Sequence, residues 1–439
     1  IYKRVHTFLY SYGKDDSSDY REQLMRLADG FRDIISLSYE DASKNITSDS
    51  VDVLLDMQVH TLGNKLKIPA ERPAPIQANY LVYPATSGAV FLDSLVADRV
   101  VVPAEHAVQY SESLLLLPPS YQISYYTRHD SAELQEILAA YRLHPHTAVS
   151  STMVRGLKQR LRLLHGLPLH ASAVFCNFNK IDKLDLQTLN VWMNILRGVP
   201  GSVLWLLHAS VRKDKLGDSD REKKQPQNDE VIISIRNACA AAGVSHKRII
   251  FASRVSKSQH LARQLAADLF LDSFVYGAHS TATDALRGGL PVLTVIGGAF
   301  PARVGLSLYE SLCPGTTSSV SNINTDHANK PAVQKEEDRL VCSNMMRTSV
   351  KDFEQFAIHV VTKQPELLIK MSRVLARAVV DNRGIFNIET STRAFLKGME
   401  ALKEARFLQK ARRKNRLQDA GNDDKVQEKK RKYSVFMSE

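Results

Sequence analysis

Residues 167–207 read LPLHASAVFCNFNKIDKLDLQTLNVWMNILRGVPGSVLWLL, and this stretch decides the fold class. Ala171–Cys176 is an apolar run of strand length. A turn carrying Lys180 and Lys183 follows, and Asp185 stands where a helix N-cap belongs. Leu186, Leu189, Trp192, Met193 and Leu196 then recur at helical spacing, and Val203–Leu207 is strand-like again. Strand, helix and strand in this order imply a parallel sheet covered on both faces.

The rhythm continues toward the carboxyl end. The pattern predicts a helix near Val231–Ala242, a strand at Arg248–Phe251, a helix from a Ser256 cap through Leu265, and a strand at Leu269–Leu271. A helix over Ser280–Arg287 and a strand over Val292–Val295 come next, then helices over Val350–Thr362, Glu366–Ala378 and Glu389–Arg406. Arg212–Glu230 and Thr316–Glu337 read as polar surface insertions. Toward the amino end, Val5–Tyr10 reads as a strand, Tyr20–Phe31 as a helix, Val51–Asp56 as a short apolar run and Gln77–Val82 as a strand. Residues 126–166 hold one predicted helix, Glu133–Tyr141, and otherwise read as a linker between two lobes.

The 439 residues leave ample material for more than one core, and the apolar fraction of 44% is ordinary for a globular protein. No apolar run approaches the roughly 20 residues that span a bilayer. The first residues do not read as a signal peptide, and the start in an apparent strand without Met suggests a piece of a longer protein. The net charge is +11, but from Lys403 onward twelve Lys/Arg face six Asp/Glu, so more than half of it sits in the tail. That distribution argues against nucleic acid as a partner. Residues 407–439 are expected to be a basic disordered tail, with Lys429–Lys432 as a candidate import patch. Cys176, Cys239, Cys313 and Cys342 are widely spaced, which points away from a zinc site or a disulfide framework and toward a reducing compartment.

Three segments at the carboxyl ends of predicted strands carry the candidate chemistry. Lys180 and Lys183 stand where open α/β sheets bind ligands, and a lysine there can neutralise a diphosphate leaving group. Each could equally be a surface lysine. Lys257, His260 and Arg263 recur at i, i+3 and i+6, on one helix face. They suit a nucleotide base and its phosphates, or form a solvated basic face. In Ala278–Asp284 (AHSTATD), small residues and hydroxyls open a helix whose backbone N–H groups form an anion site. Asp284, one turn in, can hydrogen-bond ribose hydroxyls; the alternative is ordinary capping by Ser280 and Thr281. Three such segments in one domain weaken the bland readings jointly. His60 could be a general base or substrate contact, although a structural or exposed His is commoner. No paired carboxylates, Ser-His-Asp order or metal cluster stands out.

Ordered motifs in both halves resemble the O-GlcNAc transferase family and the related plant SPINDLY-type O-fucosyltransferases. DVLLDMQVHT (52–61), RPAPIQ (72–77) and YPATSG (83–88) are similar to the family's amino-terminal catalytic lobe. FCNFNKIDKL (175–184), SVLWLL (202–207), Lys257–Asp272 and His279–Asp284 are similar to its carboxy-terminal lobe. The resemblance implies an α/β fold of two Rossmann-like lobes, a GT-B-type glycosyltransferase, with the amino-terminal lobe incomplete. It divides the chain into 1–125 (first lobe), 126–166 (linker), 167–385 (second lobe), 386–406 (closing helix) and the tail.

The resemblance also implies residue roles. Lys183 matches the lysine on the diphosphate, and with His60 it is a catalytic candidate. His260 and Arg263 match residues around the uracil, with Leu261 and Ala262 between them and Val255, Ser256 and Lys257 just before. His279, Ser280 and Thr281 match the phosphate-binding helix start, and Asp284 the ribose-binding acid. Lys180 stands where the O-GlcNAc transferases usually have Gln. The family's tetratricopeptide repeats, its amino-terminal His-Pro motif and the domain that animal enzymes insert between the lobes are not found in the chain. His144-Pro145-His146 cannot replace that motif by position.

The implied activity is inverting transfer of GlcNAc from UDP-GlcNAc to Ser/Thr of intracellular proteins, in cytoplasm or nucleus, without metal or cofactor. Two alternatives stay open. One is an O-fucosyltransferase using GDP-fucose, against which His279 and Asp284 argue. The other is a catalytically incomplete nucleotide-sugar-binding protein.

Overall fold

A computed structural model of the chain describes residues 5–126, 130, 132–143, 148–207, 226–316, 333–419 and 435–436. The chain divides into two compact units, Ile1–Tyr121 with Arg393–Glu439, and Gln122–Thr392.

The first unit runs β1 (Phe8–Ser11), α1 (Asp19–Leu27), β2 (Gly30–Asp33), α2 (Tyr39–Ser48), β3 (Val53–Asp56), α3 (Lys67–Ala70), β4 (Ile76–Asn79), β5 (Ser94–Ala97) and β6 (Ser113–Leu116). Strands β3 to β6 pair in sequence order and in parallel, while β1 and β2 form a separate parallel pair. The expected helix Tyr20–Phe31 is shorter than the periodicity suggests, because its end is spent on β2. Gly30 pairs with Phe8, and a Cβ at Gly30 would lie 2.4 Å from the Phe8 ring. Strand pairing wins over helical spacing there, and a side chain at position 30 would have to displace the Phe8 ring.

The second unit runs α4 (Ala132–Leu143), α5 (Ala148–Leu164), β7 (Val174–Asn177), α6 (Leu186–Gly198), β8 (Val203–Leu207), α7 (Pro226–Ala241), β9 (Ile249–Ala252), α8 (Lys257–Arg263), β10 (Leu269–Leu271) and α9 (Ser280–Arg287). It continues with β11 (Val292–Val295), α10 (Val304–Leu312), α11 (Val333–Ser343), β12 (Met346–Arg347), α12 (Val350–Thr362) and α13 (Pro365–Val380). Its sheet is parallel throughout, in the order β12-β11-β10-β7-β8-β9. Counting from β7, this is the doubly wound order 3-2-1-4-5-6. The chain winds outward one way from β7 and the other way from β10. Those two strands therefore flank the switch point, where the following loops diverge and leave a crevice.

Local chemistry explains the elements that build this crevice. Every residue of β7 and β10 is buried, as a strand covered on both faces requires. Helix α6 starts where expected, with the Asp185 carboxylate accepting from the Thr188 N–H at 2.9 Å. Leu189, Trp192, Met193 and Leu196 are all buried, as their spacing predicts. A Cβ at Gly198 would lie 2.5 Å from Ile358 Cδ1, so glycine lets α6 and α12 approach closely.

Residues 126–166 are not a linker. They supply α4 and α5, both part of the second unit. The basic stretch that carries no clear periodic signal is spent on a largely buried ion cluster. Lys158 and Arg162, one turn apart on α5, reach Asp268 at 2.5 and 2.6 Å, and Asp268 also accepts from the Val174 N–H at 2.7 Å. His144-Pro145-His146 lies outside the described residues.

Two further expectations are corrected. The closing helix is α14 (Ile388–Asp419), which runs past Arg406 into the segment expected to be disordered. Its residues are strong helix formers, so low apolar content did not end it. From Arg393 onward α14 belongs to the first unit, where Phe395 packs on Tyr80 with ring centroids 5.2 Å apart. Val435–Phe436 (β13) pairs with β6; Lys429–Lys432 lies outside the described residues. Cys313 and Cys342 are paired in a disulfide, with Cα atoms 6.5 Å apart, while Cys176 and Cys239 are free and buried. The packing of α10 and α11 brings together cysteines that are 29 positions apart in sequence.

Arg162→Met should lower stability by about 1–3 kcal/mol at neutral pH, since it takes one charged partner from a half-buried carboxylate that keeps Lys158. Burial pushes the Asp268 carboxyl up, but Lys158 and Arg162 outweigh this and hold its pKa below the ordinary value. The ionic contribution is thus present above the ordinary carboxylate pKa and lost as pH falls through the depressed one. Urea denaturation of both proteins from pH 7 into acid should show the difference shrinking. A difference unchanged in acid would mean that Arg162 acts through packing alone.

Candidate functional site

The crevice at the carboxyl ends of β7 and β10 collects most of the residues singled out in the sequence. After β7 the chain makes a short 3-10 turn, Ile181–Lys183, before Asp185 caps α6. Lys183 Nζ donates to the Gly277 carbonyl at 3.1 Å and lies 4.0 Å from the centroid of the Tyr276 ring. Burial pushes the Lys183 amine down to about 8, and Lys180 adds to this, against Asp272 and Asp182. An ammonium has three donors, so two remain for a ligand. Lys180 is exposed at the rim.

The loop after β10 is held from beneath by Asp272, which is 1% exposed. Its Oδ1 accepts from the N–H groups of Ala278 and Ser273 at 2.7 and 2.9 Å, and its Oδ2 from the Thr294 hydroxyl at 2.9 Å. Burial raises its pKa to about 6. Gly277 sits close above, where a Cβ would lie 3.1 Å from Asp272 Oδ2 and 3.2 Å from the Pro301 carbonyl. This loop delivers the chain to His279, the N-cap of α9. His279 Nε2 lies 3.1 Å from the Pro301 carbonyl, and its ring stacks on Tyr276. Helical geometry leaves the first N–H groups of α9 without intrahelical acceptors, beside exposed Ser280 and half-buried Thr281.

Asp284 is 5% exposed and heavily engaged. Lys257 Nζ donates to both its oxygens, at 2.6 and 2.5 Å, and the Tyr126 hydroxyl donates to Oδ1 at 2.7 Å. His260 Nε2 lies 3.6 Å from Oδ2. The helical face of Lys257, His260 and Arg263 therefore forms, but its members differ. Arg263 is 2% exposed, so its side chain is not on offer to a ligand. It donates to His260 Nδ1 at 2.6 Å and to the Ser253 carbonyl at 2.7 Å, under the Phe178 ring at 4.4 Å. It holds His260 from behind. Leu261 and Ala262 are buried too, and Ser256 is spent on a capping box with Gln259. Val255 is half-buried in the turn before that cap.

His60 belongs to the first unit. It follows β3 in a turn where Asp56 Oδ1 accepts from the N–H groups of Gln58 and Val59 at 2.8 and 2.7 Å. Val59 has φ +49°, a costly conformation for a β-branched residue. His60 is exposed, with Nε2 2.8 Å from the Ser87 carbonyl and its ring edge-on to Tyr83. Buried Glu112 anchors that loop, accepting from the Ser87 N–H at 2.6 Å and the Thr86 hydroxyl at 2.7 Å.

Sequence reasoning missed Tyr126, Asp272, Tyr276 and Asn179. Only Asp272 had a legible signal, as an acid ending an apolar strand. Asn179 is buried, its Oδ1 has no partner among the described residues, and it lines a cleft with Lys180, Lys183, Trp192 and Ser273. Among the described residues no group of three His, Cys, Asp or Glu side chains is placed to hold a metal, and no helix is long and apolar enough to cross a membrane.

Two parallel α/β units, one with a doubly wound sheet, are the Rossmann-like lobes of a GT-B-type glycosyltransferase fold. Within that class, the chain matches glycosyl transferase family 41 over residues 2–129 and 124–364, and it belongs to that family. It is 31% identical over 306 residues to an Arabidopsis thaliana protein named probable UDP-N-acetylglucosamine–peptide N-acetylglucosaminyltransferase SEC, covering 70% of this chain and 27% of that protein. It is 25% identical over 395 residues to the UDP-N-acetylglucosamine–peptide N-acetylglucosaminyltransferase of Caenorhabditis elegans, covering 70% of this chain and 33% of that one. The chain thus spans about a quarter to a third of these curated relatives. Among solved structures, a mutant of the Thermobaculum terrenum O-GlcNAc transferase has the same fold, with a TM-score of 0.64 at 19% identity, over 91% of this chain and 62% of that one.

His260 and His279 should stay neutral across the physiological range. Burial pushes each down to about 3, helped by Arg263 and Lys257 for His260 and by Lys183 for His279. Arg263 donates to His260 Nδ1, so the proton sits on Nε2; the Pro301 carbonyl likewise requires an Nε2 proton on His279. The Gln264 amide, whose Oε1 is buried without a partner among the described residues, supplies His260 with an acceptor if its oxygen is turned to the ring. Long-range proton–nitrogen NMR should show two Nε2-protonated imidazoles that do not titrate between pH 5 and 8. A charge change in that window would refute the buried, donor-held arrangement.

Proposed function

We propose that the second unit binds UDP-GlcNAc and that the protein transfers GlcNAc to Ser/Thr hydroxyls of polypeptides with inversion. The observation that carries this is Lys183, a partly buried amine fixed at the switch point of a doubly wound sheet, beside the opening of α9. As the sugar–phosphate bond breaks, negative charge gathers on the departing diphosphate. A cation already held in place is worth more in that transition state than in the ground state. Lys183 and the first N–H groups of α9 supply the positive field, with neither metal nor cofactor in this reading. Neutral His279 keeps its Nδ1 lone pair while Nε2 is bound to Pro301. Asp284, flanked by Lys257 and His260, takes the ribose. His60 is the candidate on the first unit for a substrate contact or base.

The names of the Arabidopsis and nematode relatives support the donor and the peptide acceptor. The cytoplasm or nucleus is the proposed compartment.

Calorimetry should show binding of UDP and UDP-GlcNAc and much weaker binding of GDP-fucose, which is the donor of the competing reading. Asp284→Ala and His260→Ala should each weaken UDP binding by about 1–3 kcal/mol. Affinity should also fall as pH rises through about 8, where Lys183 loses its proton. In a transfer assay, Lys183→Met should reduce turnover far more than UDP-GlcNAc binding, while Lys180→Gln should be mild. Unchanged UDP affinity in both the Asp284 and His260 variants would sink the donor site. Full activity of both lysine variants would remove this turn from the chemistry.

A further inference from the structure

We infer that Tyr126 is a positioning residue for the nucleotide, its hydroxyl deciding which part of the Asp284 carboxylate is left open to a ribose. The inference rests on the proposed UDP site and deepens it.

A carboxylate offers about four acceptor positions, two per oxygen. On Asp284, Oδ1 is filled by the Tyr126 hydroxyl at 2.7 Å and Lys257 Nζ at 2.6 Å. Oδ2 accepts from Lys257 at 2.5 Å, and His260 Nε2, at 3.6 Å, lies beyond hydrogen-bond range. One position on Oδ2 therefore remains for a ligand hydroxyl. Without the Tyr126 hydroxyl, a buried Oδ1 would be short of a donor. The carboxylate would turn to recover one, and the vacancy on Oδ2 would lose its fixed direction.

The Tyr126 ring is held independently of its hydroxyl. Tyr126 is 8% exposed, edge-on to Phe386, with the Arg287 guanidinium 5.7 Å from its ring. Arg287 is itself fixed by Asp130, with Nε 3.1 Å from Oδ1. Two α9 residues three positions apart, Asp284 and Arg287, thus hold two residues four positions apart, Tyr126 and Asp130. Burial drives the phenol pKa far above its ordinary value, with Asp284 adding to this, so the hydroxyl remains a donor at any working pH. Tyr126 lies just inside the boundary at which the chain passes into this unit, so one hydrogen bond ties that segment to the nucleotide carboxylate.

The test is calorimetry of UDP, 2′-deoxy-UDP and 3′-deoxy-UDP against the unmodified chain, Tyr126→Phe and Asp284→Asn, with thermal denaturation to confirm folding. The unmodified chain should prefer UDP to at least one deoxy analogue. Tyr126→Phe should weaken UDP roughly five-fold and shrink that preference, while the disfavoured analogue changes less than about two-fold. A merely structural role would weaken all three ligands alike, and that result overturns the inference, as does an unchanged ratio. If Asp284→Asn leaves UDP affinity intact, the donor site itself fails and the inference with it. If Asp284→Asn weakens UDP while Tyr126→Phe preserves the ratio, only the role of Tyr126 fails.

Discussion

The pairing of β7 with β10 is the constraint on which the site depends. These strands are 94 residues apart at their aligned positions, since Leu269 sits opposite Phe175 and two strands intervene in the chain but not in the sheet. Because the connections leave β7 and β10 in opposite directions, nothing crosses above their carboxyl ends. The Lys183 turn and the 272–279 loop then face each other across that space. The hydrogen bond from Lys183 Nζ to the Gly277 carbonyl, with the Tyr276 ring beside it, turns a surface-loop lysine into an oriented, partly desolvated cation. The lowered pKa of the amine follows from that burial and not from the residue type.

Much of the surrounding structure serves to hold this arrangement still. Asp272 ties the loop to β11 through Thr294, and Arg263 fixes His260 from the interior. Lys158 and Arg162 pin α5 to Asp268 at the opposite end of β10. Each is a charged group taken from water and answered by named partners, so each is costly to disturb singly. The first unit uses the same device. Glu112 gathers the Thr86–Ser87 loop, which supplies the carbonyl that orients His60. In both units a buried acid shapes a loop: the Asp272 loop carries His279, and the Glu112 loop supplies the carbonyl that His60 meets.

The division of labour among the basic residues of α8 shows how far spacing can mislead. Lys257, His260 and Arg263 share a face, but that face curves from solvent into the core within seven residues. Lys257 and His260 meet Asp284, whereas Arg263 disappears beneath Phe178. Helical periodicity gives direction around an axis. How deep the axis lies depends on what packs against it.

The α/β class, the strands and helices around the crevice, and the segments that meet there were legible in the order of residues alone. Those features rest on local signals: apolar runs of strand length, the Asp185 cap, helical spacing from Leu189 to Leu196, and the small hydroxyl-rich opening of α9. The sequence also carried the family resemblance, because ordered motifs survive in linear order. Tertiary structure alone decided the rest. That Ala132–Leu143 and Ala148–Leu164 are helices of the second unit, that α14 continues to Asp419, that Cys313 meets Cys342, and that Tyr126 bonds Asp284 across 158 positions were not legible beforehand. The physical reason is the same in each case. A basic stretch, a lone tyrosine or a cysteine has no periodic signature, and its partner is chosen by burial and by the geometry of elements distant in the chain.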